Sequence, residues 1–355
     1  MSDRLLVVLA CVGVACGDES ESMGPVETSE LSLVSYRELR EVEHIEAIAA
    51  GYAVLGRHGL AAYDQDDRTQ WEVELPGAPL ALGLTAEGDA LRMATEGEGV
   101  VWLDRIDLGG ALGEPVELSD PEGPLDMPTV VLREDGGAWV HGGQWPFFWQ
   151  GRVLPDGTLE VERPEAEERR ALLPAQANGA YALRATWTTD TGIPEQVDLQ
   201  RLAADGTAQW TVMVHDGTHD ATGAFELGGT LGPDGRGGVY VVTLRSNMSA
   251  PAKAVVRRYD AEGTLLSNEV ELHTPQSSLR SLARPGGGSV WLEGVAGTRI
   301  NVRLVDLGGE ISDKASFEGD GTPIMDATFI GNILHVLTHD GLTRIYVPPL
   351  VRPVM

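Results

Sequence analysis

Downstream of residue 30, short apolar runs alternate with breaks rich in Gly and Asp, and no helical periodicity persists. The stretch Leu202-Ala203-Ala204-Asp205-Gly206-Thr207-Ala208-Gln209-Trp210 sets the pattern. It reads as strand end, tight turn and strand start. Related turns are Asp66-Asp67-Arg68-Thr69, Leu108-Gly109-Gly110, Asp156-Gly157-Thr158, Glu262-Gly263-Thr264 and Leu307-Gly308-Gly309. Each follows an apolar run such as Leu60-Ala61-Ala62-Tyr63 or Val302-Arg303-Leu304-Val305. Asp-Gly and Gly-Gly supply the positive φ that tight hairpins need. A second turn recurs upstream of the first, at Gly51-Tyr52, Gly88-Asp89, Gly137-Ala138, Gly179-Ala180, Gly238-Val239, Gly288-Ser289 and Gly331-Asn332. β-Branched and aromatic runs such as Val239-Tyr240-Val241-Val242 follow it.

The repeat spacing is about 40–60 residues, in the range of propeller blades. Each unit reads as four strands, A to D, with tight A–B and C–D turns. The pattern predicts an all-β propeller of about seven four-stranded blades over residues 31–350, followed by a tail at 351–355. The seventh unit has only three strands, Ile324 to Ile330, Ile333 to Leu337 and Leu342 to Val347. Leu31 to Tyr36 lies ahead of the first full unit. That N-terminal strand is expected to close the ring in the last blade and so remove an open sheet edge.

Leu60-Ala61-Ala62-Tyr63-Asp64 with Thr69-Gln70-Trp71 resembles the strand–Asp–turn–Trp signature of quinoprotein-like (PQQ-like) propeller repeats, and Leu202 to Trp210 is similar. The likeness covers residues 44–347 as architecture. It implies packed blades. Some members of such families are bacterial lipoproteins that scaffold outer-membrane assembly, and others are quinone-cofactor dehydrogenases.

The N-terminus carries an address. Leu5 to Ala15 is an apolar run after Arg4, too short to span a bilayer but suited to a signal-peptide core. Val14-Ala15-Cys16-Gly17 resembles a bacterial lipobox, with Gly13 where that family usually has Leu. The resemblance makes 1–16 a lipoprotein signal peptide and Cys16 the lipidated residue. Val8-Leu9-Ala10-Cys11 is a competing match with a shorter apolar core. Residues 17–30 are polar and acidic and read as a flexible tether. Gly17 rather than Asp after the cysteine implies, by the same resemblance, delivery to the outer membrane of the cell envelope.

Cys11 and Cys16 are the only cysteines, so the body has no disulfide and no cysteine-based metal site. A chain of 355 residues, 42% hydrophobic, is long enough for a large core. The formal net charge of −28 is spread over the units, and such a surface repels nucleic acid and anionic lipid. No nucleic-acid partner is expected, and membrane contact is expected only through the anchor. A nucleophile elbow is absent at Gly287-Gly288-Ser289-Val290-Trp291. Gly235-Arg236-Gly237-Gly238 leads into a strand and offers no helix N-terminus to a phosphate.

Two clusters stand out. His215-Asp216-Gly217-Thr218-His219-Asp220 is the densest polar one, read as a hydrophilic loop and assigned no metal. Trp145-Pro146-Phe147-Phe148-Trp149 is the densest aromatic one, and Pro146 suggests a loop with some aromatics outward. Trp71, Trp102, Trp139, Trp210 and Trp291 are expected in the core. The B–C and D–A connections lie on the face opposite the tight turns. Long connections are expected at Gly142–Gln150, Thr186–Gln196, Ser246–Lys253 and His215–Ala224. The expected contacts of a protein or peptide partner at the envelope are Trp145, Phe147, Trp149, Trp187, His215 and His219. The reading is a lipid-anchored binding or scaffolding module without a cofactor. The alternative is a propeller enzyme, a quinoprotein-like dehydrogenase or lyase, with its site in the central channel.

Overall fold

The computed structural model describes residues 31–349 apart from 40, 76, 98–99, 121, 124, 145–146, 165–166, 187–195, 217–224, 248–249, 267–269, 273–278, 296–298, 307–309, 313–314, 320–321 and 340. The segments 1–30 and 350–355 lie outside the described residues. Strand β1 (Ser32–Glu38) comes first. Blade 1 is β2–β5 (Val42–Ile48, Gly51–Gly56, Gly59–Asp64, Thr69–Val73), and blade 2 is β6–β9 (Ala78–Leu84, Ala90–Gly97, Val100–Asp107, Val116–Leu118). Blade 3 is β10–β13 (Thr129–Leu132, Ala138–Gln144, Phe147–Val153, Leu159–Glu162), and blade 4 is β14–β17 (Glu167–Pro174, Ala180–Thr186, Gln196–Leu202, Ala208–His215). Blade 5 is β18–β21 (Phe225–Pro233, Val239–Asn247, Ala250–Tyr259, Val270–Leu272), and blade 6 is β22–β25 (Leu279–Ala283, Ser289–Val295, Arg299–Val305, Ala315–Glu318). The last strands are β26–β28 (Ile324–Ile330, Ile333–Thr338, Gly341–Tyr346).

Six sheets follow chain order, and the seventh runs β26–β27–β28–β1. The fold is therefore an all-β propeller of seven four-stranded antiparallel blades, closed by the N-terminal strand as expected. β1 pairs with β28 from Ser32 opposite Tyr346 to Glu38 opposite Gly341.

Each blade is covered on both faces by its neighbours. This is why middle strands such as β3 read as unbroken apolar runs and are buried throughout. Leu55, Leu60, Leu91, Met93 and Ile106 join blades 1 and 2. Tyr181, Leu183, Val197 and Leu199 meet Val239 and Val241 between blades 4 and 5. Each such side chain contributes about 1.5–3 kcal/mol on burial. The outermost strands β9, β21 and β25 are short. In blades 2, 5 and 6 the chain makes one bridge after the C–D turn, at Leu112, Leu265 and Ile311, before pairing again further on. Short outer strands blunt the exposed edges.

The recurring Asp has a job in the turn. Asp64 Oδ1 accepts from the amides of Asp66 and Arg68, both at 2.9 Å. Asp107 and Asp260 do the same in blades 2 and 5. The signature tryptophans then lock one blade to the next. Trp71 Nε1 donates to Leu108 O at 2.8 Å, and Trp210 Nε1 donates to Ala261 O at 2.9 Å. Each indole lies on the turn glycine, where φ is +90° at Gly110 and +83° at Gly263. A Cβ on Gly110 would stand 2.9 Å from Trp71, so the glycine serves both the turn and the contact. Trp139 and Trp291 are buried as expected, whereas Trp71, Trp102 and Trp210 are half-buried.

The junction between blades 7 and 1 is built differently. Asp67 occupies the turn position that is glycine elsewhere, with φ +66°. Its carboxylate accepts two bonds from Arg344 on β28, one of them at 2.9 Å from Nη1, and one from Tyr52 Oη at 2.8 Å. Arg37 of β1 donates to Tyr52 Oη at 2.8 Å and lies over the Tyr63 ring. Arg344 Nε donates to His335 Nε2 at 3.0 Å. Burial, then the Arg344 charge, pushes His335 down to about 4, so the ring stays neutral and accepts. Burial opposes ionisation of Asp67, but its bonds from Arg344 and Tyr52 outweigh that and hold it below the usual carboxylate range.

Removing one partner of a largely buried pair strands the other charge. Arg344→Ala is expected to lower stability in urea denaturation by about 3–5 kcal/mol. Arg344→Lys should recover only part of it, because a single ammonium cannot reproduce the fork on Asp67. A loss below about 1 kcal/mol, the range of a solvated surface pair, would contradict the clasp.

Candidate functional site

The inner strands β26, β2, β6, β10, β14, β18 and β22 contact one another in that order and line the axis. Register shifts interrupt five of them, between Val42 and His44, Pro79 and Ala81, Arg169 and Ala171, Leu227 and Thr230, and Ile324 and Asp326. A bulge re-aims the residues that follow it, here His44 and Asp326 among them. The axis encloses a cavity of about 1010 Å³ bounded by blades 1, 4, 5, 6 and 7. Its charged lining residues are Glu46 from β2, Asp326 from β26 and Arg280 from β22. Leu173, Leu231, Leu282 and Phe329 form much of its apolar wall.

Asp326 is held in place by several groups. Its Oδ2 accepts from the Ile45 amide at 3.1 Å, with His44 Nδ1 3.7 Å away. Its Oδ1 lies 3.7 Å from Arg280 Nη1 and accepts from the Ala327 amide at 2.9 Å. Glu46 differs. Burial first, then the Asp326 charge, pushes its carboxyl up to about 7 against a backbone bond from Ala47. A carboxyl poised near neutrality can exchange a proton or become a counter-ion with little cost. Asp326 has a signal in the sequence as the one charged residue of β26, whereas Glu46 shares β2 with Glu43 and His44, and no spacing relates the two acids. Among the described residues no group of three or more His, Cys, Asp or Glu could hold a metal.

The opposite expectation concerned the face with the B–C and D–A connections. The Gly142–Gln150 stretch is corrected from a loop to a hairpin. Gly142 pairs with Trp149, Gly143 with Phe148 and Gln144 with Phe147, leaving only 145–146 as the connection. Ser246–Lys253 is likewise corrected, since β19 and β20 run to Asn247 and from Ala250. Trp149 is only 4% exposed, and its Nε1 donates to Asp126 O at 2.9 Å. It packs in the blade 2–3 core and presents no face to a partner. Phe147 is 81% exposed at the hairpin tip. Met127, 62% exposed, follows Asp126, whose carbonyl also accepts from the Gly143 amide at 2.8 Å. His215 is half-buried at the end of β17. Trp145, Trp187, His219 and Cys16 lie outside the described residues.

No protein-family model matches the chain, and no curated protein matches it. Solved structures do match as folds. The catalytically inactive virginiamycin B lyase of Staphylococcus aureus, solved with quinupristin, has a TM-score of 0.61 at 14% identity, covering 90% of this chain and all 100% of that one. BamB from Moraxella catarrhalis gives 0.54 at 15%, covering 91% and 99%. Kuenenia stuttgartiensis hydrazine synthase gives 0.59 at 12%, covering 90% and 96%. At these identities the likeness is one of fold alone. A seven-bladed propeller carries enzymes as well as other proteins, so function must be argued from the residues.

The Glu46 carboxyl has a measurable signature. Its pKa is raised on folding, so its stabilising share is present below the unfolded value near 4.5 and is lost as pH rises through about 7. Glu46→Gln should therefore raise stability above pH 7 by up to roughly 3 kcal/mol and leave it unchanged below the unfolded pKa. Chemical denaturation at both ends of that window checks this. Equal effects at both would remove Glu46 from the channel interior.

Proposed function

We propose that this chain is a lipid-anchored propeller of the bacterial envelope, outer membrane included, that binds a protein partner as a scaffold. The observation that carries the binding reading is Phe147. It is a fully presented aromatic on a base fixed by Trp149 and Gly143 bonding to one carbonyl, that of Asp126. An exposed aromatic on a rigid base loses little entropy on docking, and such residues anchor interfaces. Met127 is a second exposed apolar residue, next to Asp126 in the chain. Trp145, Trp187, His215 and His219 are kept as proposed contacts; His215 ends β17, and the other three lie outside the described residues. The anchoring reading rests on the lipobox-like Cys16 and the acidic tether before β1. β1 lies outermost in its blade, so a tether would leave from the rim and not cross the channel.

The enzyme reading draws on Glu46 alone. A quinoprotein-like dehydrogenase or lyase would need its reacting group in the channel, and purified protein would then carry a chromophore or turn over substrate. Two measurements test the preferred reading. Cys16→Ser should move the protein from the membrane to the soluble fraction, since one acylated residue is the proposed anchor; retention, with release by Cys11→Ser, would assign the wrong cysteine. Phe147→Ala should weaken capture of cross-linked envelope partners by about tenfold or more at unchanged thermal stability. Undiminished capture sinks the Phe147 site.

A further inference from the structure

The central cavity is amphiphilic, and its sides differ in charge. Leu173, Leu231, Leu282 and Phe329 offer a hydrocarbon wall from blades 4 to 7. The acids stand where blades 7 and 1 meet, with Asp326 on β26 and Glu46 on β2. Asp326 already has Arg280, the Ile45 amide and His44 around it. Among the described residues none places a cation on Glu46, which faces Asp326 and shares the cavity with Arg280. Of the strands packed on β2, β3 brings Ala53 opposite Glu46, β6 is an apolar run, β26 brings Asp326, and β27 carries His335, which accepts from Arg344. Two carboxylates against one guanidinium leave the ionised cavity with an excess negative charge.

A cavity of about 1010 Å³, mostly apolar with a few converging polar groups, fits an organic ligand. Sign and wall together define its chemistry. An anion would meet two carboxylates, and a neutral apolar molecule would leave Glu46 without a partner. Among the described residues no group of three His, Cys, Asp or Glu is arranged to hold a bare metal ion.

We propose that the central channel binds a small organic cation, an amine or amidine on an apolar body, with Glu46 as its counter-ion. The cationic head sits between Glu46 and Asp326, and the body lies against Leu282 and Phe329. Binding ionises Glu46, so affinity rises with pH through neutrality. The site is independent of the rim face and stands whether or not Phe147 anchors a partner.

The test uses the purified chain and benzylamine, followed by calorimetry and thermal shift. Benzyl alcohol serves as the neutral isostere and benzoate as the anion. Benzylamine is expected to bind at pH 8, with affinity lower by about tenfold or more at mildly acidic pH and in Glu46→Gln. That variant is expected to be the more stable protein, so loss of binding cannot be put down to unfolding. Thr230→Trp, which fills the cavity from an exposed position, should abolish binding in an intact ring. No binding at millimolar benzylamine overturns the proposal. So do equal binding of benzyl alcohol, unchanged affinity in Glu46→Gln, and unchanged affinity in Thr230→Trp.

Discussion

A ring of blades depends on the one strand pairing that the chain does not make by running on. Every blade is joined to the next by a covalent D–A connection, β1 to β2 included. The non-covalent join lies inside blade 7, where β28 must pair with β1 arriving from the far end of the sequence. At junctions 1–2 and 4–5 an indole rests on a turn glycine, beside the apolar clusters that join those blades. At the closing junction Asp67 replaces that glycine and gathers Arg344, Arg37 and Tyr52. A non-Gly residue in the left-handed region costs energy. Its carboxylate offsets the cost by fixing the last blade to the first.

Closure also makes the channel. Ile45 and Asp326 are 281 positions apart and bonded only because blade 7 meets blade 1. The cavity's acid pair straddles that seam, so its geometry depends on the outer clasp. The same rigidity holds the Phe147 hairpin on the rim. A propeller of this kind separates two surfaces that can serve different ligands, one axial and one at the rim.

Much of the fold was legible because it rests on local chemistry. Asp-x-x-Gly turns and alternating apolar runs report hydrogen bonds between near neighbours, such as Asp107 Oδ1 with Gly109 and Ala111. The three-stranded last unit and the spare Leu31–Tyr36 segment together indicated closure. Orientation was harder. Phe148 and Trp149 are adjacent in β12 and both buried, because a blade has neighbours on both faces and period-two alternation no longer separates inside from outside. Pro146 suggested a loop, yet pairing resumes at once on either side. Glu46 and Asp326 could not be linked by any spacing, since their meeting is a property of the closed ring. Asp67 reads in sequence as one more acidic turn residue, and only its missing glycine hinted at another role.

Amide hydrogen exchange resolved by strand tests the closing clasp most directly. If β1 is an integral part of the seventh blade, the paired amides of β1 and β28 exchange with the same high protection as β27. In Arg344→Ala both lose protection together. If β1 instead opens on its own while β28 keeps full protection, the N-terminal strand is an appended edge and the ring is held by other means.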